Sequence, residues 1–150
     1  MGRHATLLAG VMAIGLWASE APTAERAPIV GRVTQVRDGD TIEVEGQPIR
    51  LQGLAAPELR QPLGREAGRY LRSLILGRQV RCEPDGTRTF DRVVALCRLD
   101  GRDLGAIMVS QGLARDCERY SRGRYSTAED AARRAGAAIG RLYRLPGYCR

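Results

Sequence analysis

Polar and apolar residues alternate along Ile29-Val30-Gly31-Arg32-Val33-Thr34-Gln35-Val36-Arg37, the two-residue period of a half-buried strand. Asp38-Gly39 follows as a turn pair suited to a tight hairpin. Thr41-Ile42-Glu43-Val44-Glu45 alternates again and Gly46-Gln47 turns. Pro48-Ile49-Arg50-Leu51-Gln52-Gly53 predicts a third strand, which completes a meander. A loop with two prolines, residues 54–63, leads to a helical period over Gly64 to Leu76. There Ala67, Leu71, Leu74 and Ile75 share one face, and Gly77 supplies the terminating residue.

Gln79-Val80-Arg81-Cys82 and Arg92-Val93-Val94-Ala95-Leu96-Cys97 predict two more strands across a polar loop, Glu83 to Asp91. Asp100-Gly101 turns into a short helix opened by Asp103 and closed by Gly112, and Thr127-x-x-Asp130 is a capping box for a last helix. Repeats, low-complexity tracts and linkers are absent from the pattern. Five short strands with a helix between the third and fourth predict an α+β fold, mainly β: a five-stranded OB-fold barrel with three helices. Such barrels bind oligonucleotides or oligosaccharides, and the fold alone does not fix a function.

The first residues follow another pattern. Met1-Gly2-Arg3-His4 is basic, Ala5 to Trp17 is apolar, and Ala18, Ser19 and Ala21 are small. This predicts a secretory signal peptide over residues 1–21 and a secreted or periplasmic protein. The apolar run is too short for a comfortable membrane span, so none is expected after cleavage. Pro22 would follow a cut after Ala21, which leaves the cleavage site open, with an N-terminal membrane anchor as the alternative. Residues 22–28 are then a short lead-in, 29–143 one domain, and 144–150 a tail.

Composition narrows the chemistry. The 150 residues carry 24 Lys plus Arg, all of them arginine, against 17 Asp plus Glu, for a net charge of +7. With no lysine there is no P-loop lysine, Schiff base or lysine general base. The one histidine, His4, leaves with the signal peptide, which removes histidine triads and histidine metal sites. Carboxylates, arginines, hydroxyls or a bound metal must carry any catalysis, and the excess positive charge suits an anionic partner or a high-GC genome that encodes arginine freely about equally.

Export changes how the cysteines read. Cys82, Cys97, Cys117 and Cys149 are even in number, and two disulfides are the default in an oxidising compartment. Three pairings are open. A bridge between the strands carrying Cys82 and Cys97 would leave Cys117 with Cys149 to pin the tail. Zinc is the rival, without CxxC spacing or a mature histidine to support it.

Several short motifs follow one another within about twenty residues: Asp38-Gly39-Asp40-Thr41 at a hairpin tip, Ile49-Arg50-Leu51 on the next strand, and Ala56-Pro57-Glu58 after it. Phe90-Asp91-Arg92 opens the fifth strand, and Gln111-Gly112-Leu113-Ala114 closes the short helix. Singly, each is an ordinary turn, loop or solvated strand residue. The ordered set resembles the staphylococcal nuclease (thermonuclease) family over about residues 29 to 143. That resemblance implies a calcium-dependent phosphodiesterase cutting DNA and RNA. It makes Asp40 a calcium (Ca2+) ligand, Ala56 a ligand through its backbone carbonyl only, Arg50 and Arg92 the phosphate-binding arginines, and Glu58 the base or water-positioning group.

The chemistry suits those residue types. Hydrolysis of a phosphodiester builds negative charge on oxygens that guanidinium forks bind bidentately. Calcium takes carboxylate and carbonyl oxygens and polarises the phosphoryl group, and a carboxylate can orient or deprotonate the attacking water. The departure is Gly53-Leu54-Ala55-Ala56-Pro57-Glu58, with Ala55 where the family places a second metal-binding aspartate. Loss of that charge weakens cation binding, and Asp91, Asp38 and Glu43 stand open as replacements.

Two functions follow. One is an exported nuclease-like phosphodiesterase with a divalent metal, weakened by Ala55. The other is a non-catalytic exported OB-fold module binding nucleic acid or another polyanion. Arg115, Arg119, Arg122 and Arg124 interleave with Tyr120 and Tyr125. Arg119, Tyr120, Arg122 and Arg124 could grip single-stranded DNA or RNA by charge and stacking, or form a solvated loop.

Overall fold

The computed structural model describes residues 27–150. The signal peptide read over residues 1–21 lies outside the described residues, as does most of the lead-in that follows it. The elements run β1 (Ile29–Val36), β2 (Thr41–Val44), β3 (Gln47–Leu51), β4 (Leu54–Ala55), α1 (Gly64–Ile75), β5 (Gln79–Thr89) and β6 (Arg92–Leu99). Then come β7 (Arg102–Asp103), α2 (Leu104–Ser110), β8 (Arg115–Asp116), α3 (Glu118–Ser121), α4 (Ser126–Arg134), α5 (Ile139–Leu142) and a 3-10 turn (Gly147–Cys149).

The meander forms as the alternation predicts, with β1, β2 and β3 antiparallel in sequence order. The main sheet runs β3-β2-β1-β5-β6-β7, and β6 also pairs in parallel with β3. A mostly strand, mixed α+β architecture of this kind is consistent with an OB-like fold. β4 and β8 make a separate two-stranded sheet. Inward-facing Val33, Val36, Ile42, Val44, Ile49 and Leu51 join Ala67, Leu71 and Ile75 of α1 in the main core. That is the helical face the sequence predicts, and Gly77 follows it with φ +75°, its N–H donating to Val33 O at 2.9 Å. Asp103 opens α2 as expected, its Oδ1 accepting from the Gly105 and Ala106 nitrogens.

Other expectations need correcting. Arg37 to Asp40 is a four-residue loop and not a tight Asp-Gly hairpin: Arg37 N donates to Thr41 O, and Asp40 N donates to Asp38 Oδ1. The next turn is Glu45-Gly46, both at positive φ, one residue earlier than Gly46-Gln47. The polar stretch Glu83 to Asp91 is mostly strand, because β5 runs on to Thr89. Its polarity reflects exposure beyond the core, and Pro84-Asp85-Gly86 sit where the pairing with β6 shifts register. Asp85 Oδ1 accepts from the Thr87 nitrogen and hydroxyl at that irregularity. α4 starts at Ser126, and the Thr127 capping box does not form: Asp130 pairs with Arg133 instead. α3 and α5 are single turns that raise the described helices from three to five, too short for periodicity to reveal.

Both disulfides form: Cys82 with Cys97, directly opposite across β5 and β6, and Cys117 with Cys149. The second holds the tail against a small apolar cluster of Ala55, Cys117, Ile139, Tyr143 and Cys149, flanked by Leu63 and Leu145.

Candidate functional site

Asp40, Arg50 and Arg92 arise from three paired strands, or their ends, which fixes their spacing. Arg50 of β3 lies opposite Thr41 of β2 and, in the parallel pairing, opposite Val94 of β6. Asp40 immediately precedes β2, and its backbone carbonyl accepts from Leu51 N at 2.8 Å. Gly39, beside it, packs where a Cβ would lie 2.7 Å from the Cβ atoms of both Ala56 and Ala67, so a larger residue would push this loop off α1.

The Asp40 carboxylate is buried and fully engaged. Oδ2 pairs with Arg50 Nη2 at 2.9 Å and accepts from Ala56 N at 2.9 Å, while Oδ1 accepts from the Thr41 hydroxyl at 3.1 Å. Burial pushes its pKa up to about 6; Arg50 opposes that shift, and the neighbouring Asp38 carboxylate adds to it. Arg50 also donates to its neighbour's carbonyl, Leu51 O, at 2.8 Å. Arg92 donates to Thr41 Oγ1 at 3.1 Å and to Thr89 O at 3.3 Å, with its guanidinium 5.7 Å from the exposed Phe90 ring. Asp40 and Thr41 therefore bridge the two arginines.

Glu58 lies on an exposed loop, two residues after Ala56, whose N–H holds Asp40. Its backbone is clamped, with its N–H donating to Gln61 Oε1 and its carbonyl accepting from Gln61 N. Gly64, at the start of α1, packs so closely on the Glu58 carbonyl that no Cβ fits there. The Glu58 carboxylate makes no hydrogen bond or ion pair among the described residues, which leaves it free to take a water.

Tyr143 was not legible as a site residue. It is buried in the tail cluster with Ala55, and burial pushes its phenol up to about 12; Tyr148, Asp40 and Glu58 act in the same direction and Arg50 against it. It reaches this neighbourhood because Cys117–Cys149 folds the tail back, a tertiary effect without a local signature. The basic stretch is not joined to the group by any hydrogen bond or ion pair among the described residues. Arg119 lies over Tyr120, Arg124 donates to Gln52 Oε1, and Arg122 caps α3 at φ +57°.

A family model described as staphylococcal nuclease homologue matches residues 48–139, a span that contains Arg50, Glu58 and Arg92. The chain belongs to the staphylococcal nuclease homologue family. It is 32% identical over 146 residues to the succinoglycan biosynthesis protein ExoI of Rhizobium meliloti (strain 1021), covering 89% of this chain and 75% of that protein. It is 35% identical over 100 residues to an uncharacterized endonuclease of Escherichia coli, covering 63% and 65%. An uncharacterized endonuclease of Haemophilus influenzae is 27% identical over 114 residues, covering 72% and 64%. The chain thus spans just under two thirds of the length of either endonuclease.

The calcium implied by the family resemblance meets a poor donor set. Calcium takes six to eight oxygens, and among the described residues no group of three His, Cys, Asp or Glu side chains is placed to hold a metal ion. Asp40 already spends both carboxylate oxygens on protein donors. The residue at the second acidic position of the family pattern, Ala55, is buried among Cys117, Tyr143 and Cys149. Of the replacements, Asp38 lies beside Asp40 and the other two are drawn away from it. Glu43 and Asp91 both pair with Arg37, at 2.8 and 3.1 Å, and Asp38 accepts from Asp40 N.

Proposed function

We propose that this nuclease homologue is a phosphodiesterase acting on nucleic acid, with Arg50 and Arg92 as the phosphate clamp and Glu58 as the water-orienting base. The observation that carries the reading is the pair of arginines bridged through Asp40 and Thr41, followed on the next loop by Glu58, a carboxylate with no partner among the described residues. An incoming phosphate competes with Asp40 for Arg50 and with Thr41 for Arg92. The two forks then offset the charge that grows on the non-bridging oxygens in the transition state.

Glu58 takes the proton of the attacking water as its oxygen bonds to phosphorus. The bond from phosphorus to the leaving sugar oxygen breaks, and that oxygen takes a proton from water. Because no three acidic side chains among the described residues gather to hold a metal ion, no step is assigned to one here. The two disulfides support an oxidising, secreted or periplasmic compartment. No described helix is long and apolar enough to cross a membrane.

The test is digestion of single-stranded DNA and RNA by the parent, Arg50→Ala and Glu58→Ala, with calcium, magnesium, manganese or chelator. Removal of an oxyanion donor or a general base costs on the order of 10² or more in rate. Cleavage by the parent that falls at least that far in each variant is expected. Binding without cleavage in every condition would sink the enzyme reading and leave the second one: a binding module without turnover, favoured by Ala55 and by the ion pair that already neutralises Arg50.

A further inference from the structure

A cleft of about 780 Å³ lies between the loop that follows Glu58 and the exposed side of α1. Arg60 enters it from the loop and Arg65 and Arg69 from the helix, with Leu59 and Glu66 beside them. Arg65 and Arg69 are one helical turn apart, so their guanidinium groups emerge on the same face. Both also line a neighbouring cavity of about 290 Å³, shared with Arg37 and Arg72. Those last two are committed: Arg37 to Glu43 and Asp91, and Arg72 to Val36 O at 2.7 Å.

Arg60, Arg65 and Arg69 are different. All three are exposed, and none forms an ion pair among the described residues. Among the described residues that line the cleft, Glu66 alone opposes them. Like charges converging on one concavity raise the local potential and favour an anion there. The position decides which anion. Gln61, which lines the cleft, is hydrogen-bonded to the Glu58 backbone in both directions, so the cleft begins on the loop that carries Glu58.

We propose that this cleft holds phosphates flanking the scissile one on a single nucleic-acid strand. The proposal rests on the phosphodiesterase reading for the position of the scissile phosphate. Arg60, Arg65 and Arg69 track the backbone, while Arg50 and Arg92 hold the reacting group.

The test is equilibrium binding of a single-stranded oligonucleotide of about 12 nucleotides, within the ~4–16 that an OB fold covers, to the full chain across a range of salt. The variants are Arg60→Gln/Arg65→Gln/Arg69→Gln and, as a matched loss of charge, Arg102→Gln/Arg134→Gln/Arg141→Gln. Each phosphate contact contributes about 0.7 to the slope of log K against log salt for single strands, so loss of three contacts should flatten it by about 2. The first variant should show that change and retain parental affinity for a dinucleotide. An unchanged slope, or an equal change in the second variant, would overturn the proposal. Binding is read without turnover, so a parent that never cleaves defeats the phosphodiesterase reading while the slope still decides the cleft.

Discussion

Replacing Ala55 by aspartate would restore the acidic residue of the family pattern, yet the surrounding structure argues against a simple gain. Successive residues of β4 face opposite ways, and Leu54 and Ala56 join the main core while Ala55 joins the tail cluster. Ala55 is 1% exposed, against Cys117, Ile139, Tyr143 and Cys149. An aspartate there overfills a packed site, at about 1–3 kcal/mol. It also buries a polar group without an evident donor, at about 1–3 kcal/mol more. The expected loss is about 4 kcal/mol, on the order of 15 °C in melting temperature for a domain of this size. Thermal unfolding of Ala55→Asp with and without calcium, alongside calorimetric titration of the ion, measures both effects. A ligand a hundredfold above its Kd stabilises by about 2.7 kcal/mol. A variant as stable as the parent, or one that calcium rescues by that amount, would refute the view that the pinned tail has closed this position to a metal.

Two further outcomes are expected. Asp40 binds a proton in the folded protein up to about pH 6, above the ~3.9 of an unfolded aspartate. The folded state therefore holds more protons in that window, and stability falls as pH rises from about 4 through 6. Asp40→Asn should lack that decline in urea titrations at stepped pH, and its persistence would assign the slope to another group. The Cys117–Cys149 bridge closes a sequence separation of 32 residues, for which chain entropy gives about 3.7 kcal/mol. Cys117→Ala/Cys149→Ala should unfold at correspondingly lower denaturant, and a change below about 1 kcal/mol would show that the tail is held by packing alone.

The strands that carry the site were legible because burial imposes an alternation on their apolar residues: Ile42, Val44, Ile49 and Leu51 point inward, and Glu43 and Arg50 can be placed from that period, although Thr41 is buried too. The Asp40–Arg50–Arg92 grouping was legible as an ordered motif, though not the pairing that occupies Asp40 on every side. β5 beyond Cys82 was missed because a strand that runs past its core has no apolar face to display. The tail and Tyr143 depend on a covalent link across 32 positions, which no local pattern encodes. The basic cleft was missed for a related reason: Arg60 belongs to a loop and Arg65 to a helix, and only folding brings them to one hollow.

The register of β3 against β2 and β6 has a consequence for how such a protein can change. The roots of Arg50 and Arg92 are separated by backbone ladders and not by loops. A one-residue slip would turn Arg50 to the opposite face of the sheet and expose the core at the same stroke, so the separation of the two guanidinium groups is guarded by the fold's own stability. The rims are under no such guard: Arg60 on the loop and Arg65 and Arg69 on the exposed side of α1 can trade charge without moving Arg50 or Arg92. Substrate choice can therefore drift in the rims over generations, while the distance that a phosphate must span stays set by the sheet.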